Sequence, residues 1–415
     1  MPGLLALHLR PDSPGFLDLP WDLPLAGWRA ACPRIVDVQR GLSRHEVQFV
    51  SDGPAVYAFK ELPLRLAERE HDMLEKFEQR DLPAVKPVGW ARVLGDDEEQ
   101  GVLITRFLDA SLPYRILFHS PGLERYRGRL IDALAGLLVR LHLAGAYWGD
   151  CSLSNVLFRR DAGELSAYLV DAETSELHDA LSEGMRRQDL DIMEENVEGD
   201  LLDLHAQGVA PAPGVDEHAG EQVRQRYEAL WREINREEVL STDDLWRIHE
   251  RVRALNALGF SVGSIDLVPD GTARRVKLRT VVTDRDHHRH QFHDLTGLVA
   301  EERQAEQLLN DLREFKLALS ERMGRSVPMS VSAFHWRSER WEPAIARFGP
   351  LVTADADAAE RFCQVLEHKW FMSERARRDV GLDAALDDYL RRFAADAAAA
   401  TPVTPAPAAG APPAR

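Results

Sequence analysis

Residues 148–171 read WGDCSLSNVLFRRDAGELSAYLVD, and this stretch decides how the rest of the chain is interpreted. Two β-rich runs flank the turn-forming letters DAGE, which predicts a hairpin over residues 156–170. Because an antiparallel hairpin returns to its starting point, Asn155 and Asp171 should lie side by side. An amide oxygen and a carboxylate are suitable ligands for magnesium, so the pattern predicts a metal site at the base of the hairpin.

Asp150 lies one short loop before Asn155. From that position its carboxylate can reach an acceptor hydroxyl, and phosphoryl transfer requires this combination of metal ligands and a nucleophile-orienting carboxylate. The alternative is an acidic turn followed by an ordinary hairpin, because D-x-x-x-x-N alone is common by chance. The ordered set of Asp, Asn, apolar hairpin and Asp is much rarer and favours the phosphoryl-transfer interpretation.

The N-terminal half contains a second set of residues that fits a nucleotide site. The predicted strand AVYAFK places Ala58 and Lys60 on one face, with room for a flat base beside an ammonium group. The following run, LRLAEREHDMLEKFEQR, has helical spacing that puts Glu70 on the apolar side, where it can pair with Lys60. Glu68 and Glu75 are rival partners. The alternative is a solvated lysine at a strand end and a surface glutamate.

Residues 41–47, GLSRHEV, occupy the place of a loop that would cover the phosphates. The segment has one glycine instead of the pattern G-x-G-x-x-G. Its backbone amides, together with Ser43 and Arg44, are the expected phosphate contacts.

These residues together resemble the protein-kinase-like superfamily, particularly the small-molecule and lipopolysaccharide kinases of bacteria. Those kinases carry H-G-D-x-x-x-x-N, which reads Trp148-Gly149-Asp150 followed by Asn155 here. The whole chain is similar to a bacterial family that joins a lipopolysaccharide-kinase-like N-terminal half to a long C-terminal domain of unknown function. LDLPWDLPLAGW, YAFKELPLRLAERE and WGDCSLSNVLFRRDAGELSAYLVDAET carry that resemblance.

The resemblance implies a role for each residue of the set, with ATP and Mg²⁺ as cofactors. It implies that Asp150 is the catalytic base and that Asn155 and Asp171 are the metal ligands. It also implies that Lys60 and Glu70 form the ion pair of the nucleotide site.

Two departures from the family pattern matter. The usual D-F-G is Asp171-Ala172-Glu173 here, so Glu173 is either a further metal contact or a surface carboxylate. No arginine precedes Asp150, which makes control by a phosphorylated activation loop less expected. Both metal ligands and the base are nevertheless present.

The composition excludes several classes of protein. The 415 residues carry a formal net charge of −17, which disfavours nucleic-acid binding. The three cysteines are far apart in the sequence, so neither a disulfide framework nor a cysteine zinc site is indicated, in keeping with a cytoplasmic protein. No apolar run is long enough for an integral membrane segment, and no signal peptide is expected.

The order of predicted elements indicates an α/β (α+β) protein: a two-lobed protein-kinase-like fold followed by an additional α/β C-terminal domain. The expected organisation is a leader and N-lobe at 1–105, a C-lobe at 106–208, a C-terminal domain at 209–393 and a disordered tail at 394–415. We expect an irregular leader over residues 1–30. Further helices are expected at 122–145, 182–205, 219–237, 241–257, 300–322 and 355–395, and strands at 259–300.

Two clusters in the C-terminal half have competing interpretations. His287–His293 is rich in histidine, and on a strand His288 and His290 would share a face that either binds a metal or forms a solvated edge or a phosphate-contacting patch. Trp336 and Trp341 alternate with arginines. They form either a binding surface or an anchor at a domain interface, and the anchor is the preferred interpretation.

The sequence therefore predicts transfer of phosphate from ATP to a hydroxyl of a small molecule, glycan or glycolipid. One alternative is a nucleotide-binding pseudokinase that acts as a regulatory or scaffold protein and holds a protein partner through its C-terminal domain. Another is an interaction protein that uses the fold without nucleotide.

Overall fold

The computed structural model describes residues 3–399 apart from these positions: 12, 39–44, 54, 96–97, 120–122, 209–217, 237, 242–254, 256–260, 270–274, 285 and 350–354. Three predictions fall wholly or mostly outside the described residues: the phosphate contacts of Ser43 and Arg44, the helix at 241–257, and the part of the tail beyond residue 399.

A five-stranded antiparallel sheet forms the first lobe, in the order β1-β4-β5-β3-β2. Its strands are β1 (Gly3–Leu9), β2 (Val47–Asp52), β3 (Ala55–Pro63), β4 (Lys86–Leu94) and β5 (Glu99–Arg106). β2 and β3 form one hairpin of this sheet, and β4 and β5 form another. Lys60 pairs with Val47 of β2 on one side and with Leu103 of β5 on the other, so it lies on an interior strand, next to the edge strand β2.

The leader is not irregular throughout, because its first residues form a strand of this sheet. β1 pairs with β4 and covers an edge that would otherwise expose unpaired backbone groups. After β1 the leader forms a 3-10 turn (Leu25–Gly27) and the short helix α1 (Trp28–Ala31). The leader packs on the lobe: the rings of Phe16 and Trp28 lie 5.1 Å and 5.5 Å from that of Phe59 in β3.

Helix α2 (Leu64–Gln79) packs on the sheet directly after β3. Its buried face includes Ala67, Leu74 and Phe77 at the helical spacing read from the sequence. The helix approaches β5 so closely that a Cβ added to Gly101 would lie 2.6 Å from the Cβ of Ala67. Only glycine fits at position 101. The close contact between Gly101 and Ala67 fixes the distance of α2 from β5, the strand that pairs with β3 at Lys60.

The second lobe is mainly helical. Its helices are α3 (Tyr114–His119), α4 (Glu124–Arg127), α5 (Arg129–Leu143), α6 (Glu183–Ala206) and α7 (Ala219–Asn235). α5 is buried along most of its length between its neighbours. The predicted hairpin is present as β8 (Val156–Asp161) and β9 (Glu164–Leu169), with β6 (Ser111–Pro113) beside β8. A two-stranded ribbon pairs β7 (Ala146–Tyr147) with β10 (Glu176–Leu177).

The C-terminal domain combines a small antiparallel sheet with a helical bundle, as the predicted α/β class requires. The sheet has the order β11-β13-β12, from β11 (Glu238–Ser241), β12 (Ser261–Pro269) and β13 (Arg275–Asp284). The helices are α8 (His287–Thr296), α9 (Glu302–Met323), α10 (Met329–Trp336), α11 (Glu342–Phe348), α12 (Asp355–Ala376) and α13 (Leu382–Ala399). Among the described helices, none is both long enough and apolar enough to cross a bilayer.

Three predictions for this half are wrong. The histidine cluster forms helix α8, not a strand, so His288 and His290 do not share a strand face. Trp336 and Trp341 are buried in the core of the C-terminal domain and do not anchor a domain interface. Helix α13 continues to Ala399, past the predicted start of the disordered tail, because its alanine-rich end has high helix propensity.

Candidate active site

A cleft of about 820 Å³ lies between the two lobes. Six of the predicted site residues line it: Ala58, Lys60, Glu70, Asp150, Asn155 and Asp171. Aliphatic side chains from both lobes form other parts of its wall: Val47, Val85, Leu103, Val156 and Val170. The structure therefore brings together, in one concave site, residues that are up to 113 positions apart in the sequence.

Lys60 extends from β3 to two carboxylates. Its Nζ lies 3.0 Å from Glu70 Oε2 and 2.7 Å from Asp171 Oδ2. The expected ion pair between β3 and α2 is present, and neither rival glutamate replaces Glu70 in it. Burial acts to lower the pKa of Lys60, but attraction to Glu70 and then to Asp171 outweighs it and raises that pKa above its ordinary value. The ammonium group therefore remains charged.

Glu70 is fully buried, unlike the surface glutamate of the alternative interpretation. Burial raises the pKa of its carboxyl to about 7, and repulsion from Asp171 acts in the same direction. The hydrogen bonds from Lys60 and from the backbone N–H of Ala172 oppose this rise. Glu70 therefore exchanges its proton near neutral pH. Its Oε1 accepts the hydrogen bond from the backbone N–H of Ala172, the residue after Asp171, at 3.3 Å.

Asp189 of α6 holds the start of the loop that carries Asp150. Its carboxylate accepts hydrogen bonds from the backbone N–H groups of Trp148 and Gly149, both at 2.8 Å. It also accepts one from His142 Nε2 at 3.0 Å, while the His142 Nδ1 lies 2.7 Å from the hydroxyl of Tyr227 in α7. Gly149 has a φ of +81°, a conformation that favours glycine. This buried network fixes the backbone direction just before Asp150.

Trp148, which stands where the related kinases have histidine, takes a defined position. The side chain is fully buried, and its Nε1 donates a hydrogen bond to the backbone oxygen of Asp171 at 3.0 Å. Its own backbone oxygen accepts a hydrogen bond from Thr174 Oγ1 at 2.8 Å. The tryptophan therefore ties the loop of Asp150 to the segment of Asp171.

The side chains of Asp150 and Asn155 contact each other. Asn155 Nδ2 donates to the backbone oxygen of Asp150 at 3.0 Å and to its Oδ2 at 3.2 Å. Asn196 of α6 donates to Asp150 Oδ1 at 3.1 Å and to the backbone oxygen of Cys151 at 3.2 Å. The base of the hairpin is closed by a hydrogen bond from the backbone N–H of Val170 to the backbone oxygen of Asn155 at 3.0 Å. Asp150 is thus held in one orientation by two amide groups.

Sequence reasoning did not identify three residues of α6 that support this site: Asp189, Asn196 and Asp200. Asp200 accepts hydrogen bonds from Ser154 N at 3.0 Å and from Ser154 Oγ at 2.7 Å, and so fixes the loop before Asn155. The separations of seven and eleven residues place the three polar side chains on one face of the helix. This row of polar residues next to the buried apolar residues Leu190, Met193, Val197 and Leu201 was the sequence signal that could have identified them.

Glu173 lies at the mouth of the cleft. Its carboxylate is 3.4 Å from His45 Nε2 and 4.0 Å from Lys60 Nζ. Oxygen atoms of Glu70, Asp171 and Glu173 lie within 4.8 Å of one another, so Glu173 is close enough to Asp171 to share a metal ion with it.

Comparison with known proteins follows the division into two halves. No curated protein matches the chain. A solved structure described as "WaaP in complex with acyl carrier protein" is 14% identical, over 56% of this chain and 92% of that chain, with a TM-score of 0.32. Residues 55–212 match the lipopolysaccharide kinase (Kdo/WaaP) family, and residues 229–394 match a domain of unknown function, DUF4032. The chain therefore joins a domain of the lipopolysaccharide kinase (Kdo/WaaP) family to a DUF4032 domain.

Proposed function

We propose that this protein is an ATP-dependent phosphotransferase that acts on a hydroxyl of a small molecule, a glycan or a glycolipid. The observation that best supports the proposal is the convergence of Lys60, Asn155, Asp171 and a separately held Asp150 in one cleft. The match of residues 55–212 to a kinase family supports the same chemistry and favours a glycolipid acceptor. We place the reaction in the cytoplasm, where ATP is present.

The residues of the cleft fit magnesium and ATP. Asn155 uses its amide nitrogen to bind Asp150, which leaves its amide oxygen as a metal ligand. Asp171 would be the second ligand, and bound magnesium would neutralise charge on the phosphates. Lys60 would bind a phosphate, and Ala58 with the aliphatic wall would contact the adenine ring.

Asp150 would orient the acceptor hydroxyl and take its proton. As the acceptor oxygen forms a bond to the γ-phosphorus, the bond from that phosphorus to the bridging oxygen breaks and ADP leaves. The acceptor proton passes to the carboxylate of Asp150. The hydrogen bonds from Asn155 and Asn196 hold this carboxylate ready for the transfer, which lowers the cost of orienting it during the reaction.

Asp150→Asn is the direct test of this function. The variant keeps the shape of the side chain, and we expect phosphate transfer, or ATP hydrolysis with water as acceptor, to slow by about 10²–10⁴-fold. The affinity for Mg-ATP should change little, because Lys60 and the metal ligands remain. Asp72→Asn is the matched control, since that side chain is 68% exposed on α2 and does not line the cleft.

Two results would count against the proposal. If Mg-ATP does not raise the melting temperature of the wild type, the protein does not use nucleotide, and the interaction-protein alternative gains. If the wild type binds Mg-ATP but transfers phosphate to no hydroxyl acceptor, the pseudokinase alternative replaces the enzyme.

A further inference from the structure

The C-terminal domain contacts the far end of the hairpin whose base carries Asn155 and Asp171. Asp161, at the end of β8, is 2% exposed. Its carboxylate accepts hydrogen bonds from two backbone N–H groups in the first turn of α9, from Arg303 at 3.2 Å and from Gln304 at 2.8 Å. A kinase-domain residue therefore caps a helix of the C-terminal domain.

Glu301, just before α9, bridges the two strands of the hairpin. Its Oε1 lies 2.7 Å from an Arg159 nitrogen of β8, and its Oε2 accepts a hydrogen bond from the Tyr168 hydroxyl of β9 at 2.6 Å. Arg159 Nε also donates to the backbone oxygen of Asp109 at 3.1 Å, in the segment that connects the two lobes. One glutamate of the C-terminal domain thus reaches both strands and, through Arg159, the connection between the lobes.

The turn of the hairpin is held as well. Glu360 of α12 accepts a hydrogen bond from the backbone N–H of Ala162 at 2.8 Å and one from Gln304 Nε2 at 3.1 Å. The same Gln304 nitrogen donates to the backbone oxygen of Arg160 at 2.9 Å. Every residue from Arg159 to Ala162 therefore binds a polar group of the C-terminal domain.

The three carboxylates at this contact are buried: Asp161 is 2%, Glu301 7% and Glu360 4% exposed. Burying a carboxylate is unfavourable unless it is fully hydrogen-bonded or paired. Each of the three has at least one partner that it meets only when the hairpin and the C-terminal domain are docked together. The contact is consequently specific to one relative position of the two domains.

We propose that the C-terminal domain positions the β8–β9 hairpin, and with it Asn155 and Asp171, through Asp161, Glu301 and Glu360. These three act as positioning residues for the metal ligands at the other end of the hairpin. The role in magnesium binding rests on the proposed function, whereas the mechanical link to the hairpin base does not. The DUF4032 domain is thereby a structural component of the kinase-like site.

The test uses the full chain and two variants, Glu301→Ala and Tyr168→Phe, with Glu314→Ala on the exposed side of α9 as the matched control. Amide hydrogen exchange reports on the base through Val170 N–H, which bonds the Asn155 oxygen. We expect exchange there to accelerate about fivefold, the effect of losing one hydrogen bond. Magnesium affinity with ATP present should weaken about three- to tenfold, less than when a ligand loses its direct partner.

Two controls separate positioning from a general loss of stability. Metal-free ATP should bind all variants equally. Glu301→Gln should restore slow exchange in part, because its single amide oxygen can still accept from Tyr168 while the bond from Arg159 is lost. If Glu301→Ala does not fold, Tyr168→Phe still tests the link, because it removes a single hydroxyl. A lower melting temperature with unchanged exchange at Val170 would overturn the inference. Faster exchange in a protein that binds no Mg-ATP would refute the proposed function and leave the link to the hairpin base established.

Discussion

Replacing Glu70 by glutamine should change how the stability of the protein depends on pH. Burial holds the pKa of Glu70 at about 7 in the folded state, against 4.5 for an unperturbed glutamate. Between these values the folded state binds more protons than the unfolded state, so wild-type stability falls as pH rises. One pKa step corresponds to about 1.4 kcal/mol, so Glu70 contributes about 3 kcal/mol at low pH, of which about 2.5 kcal/mol disappears between pH 5 and pH 8.

The assay is urea unfolding of the wild type and of Glu70→Gln at a series of pH values from 5 to 8. The quantity to compare is the wild-type free energy of unfolding minus that of the variant, since other titrating groups largely cancel in this difference. It should fall steadily as pH rises. Glu75→Gln, on the same helix and outside the cleft, should show no such trend. A difference between wild type and Glu70→Gln that is flat across this range, or that rises, would refute the assignment of a buried, proton-binding Glu70.

Four further predictions concern binding and packing. Lys60→Met should weaken ATP binding by about 10–100-fold with the fold intact, and an insoluble Lys60→Met protein would indicate a structural lysine. Asp171→Asn should chiefly weaken the dependence of ATP binding on magnesium. Calorimetry checks both predictions. Asp189→Ala leaves several buried donors without an acceptor and should lower the free energy of unfolding by about 3–5 kcal/mol. A loss below about 1 kcal/mol, measured by urea unfolding, would contradict the role of Asp189 in the network. Gly101→Val forces side-chain atoms against Ala67 and should cost about 2–3 kcal/mol, which an unchanged melting temperature would disprove.

The hairpin and its site were predictable because their signals are local. Asn155 and Asp171 flank two β-rich runs, and the return of an antiparallel hairpin brings its ends together whatever surrounds it. Lys60 and Glu70 lie on adjacent elements, so strand alternation and helical spacing sufficed for them.

The support from elsewhere in the chain was not predictable from local patterns. Asp189 holds Trp148 from 41 positions away, and Glu301 binds Arg159 from 142 positions away, so only the packed fold brings them together. The histidine cluster was predicted as a strand from its alternation, although Gly297, with a φ of +68°, ends it as a helix. β1 was missed because the residues that pair with it lie 80 to 91 positions downstream, from Leu9↔Gly89 to Gly3↔Leu94.

The hydrogen bonds from Glu301, Gln304 and Glu360 to the hairpin also impose an order of events during translation. The backbone N–H of Ala162 cannot bind Glu360 until that residue, 198 positions further along the chain, has been synthesised. At about 5–20 residues per second, the ribosome needs roughly 10–40 s to produce that distance. A nascent or prematurely terminated chain therefore has the complete hairpin but not the groups that secure it. The finished hairpin contact thus forms only after the chain has been synthesised as far as Glu360.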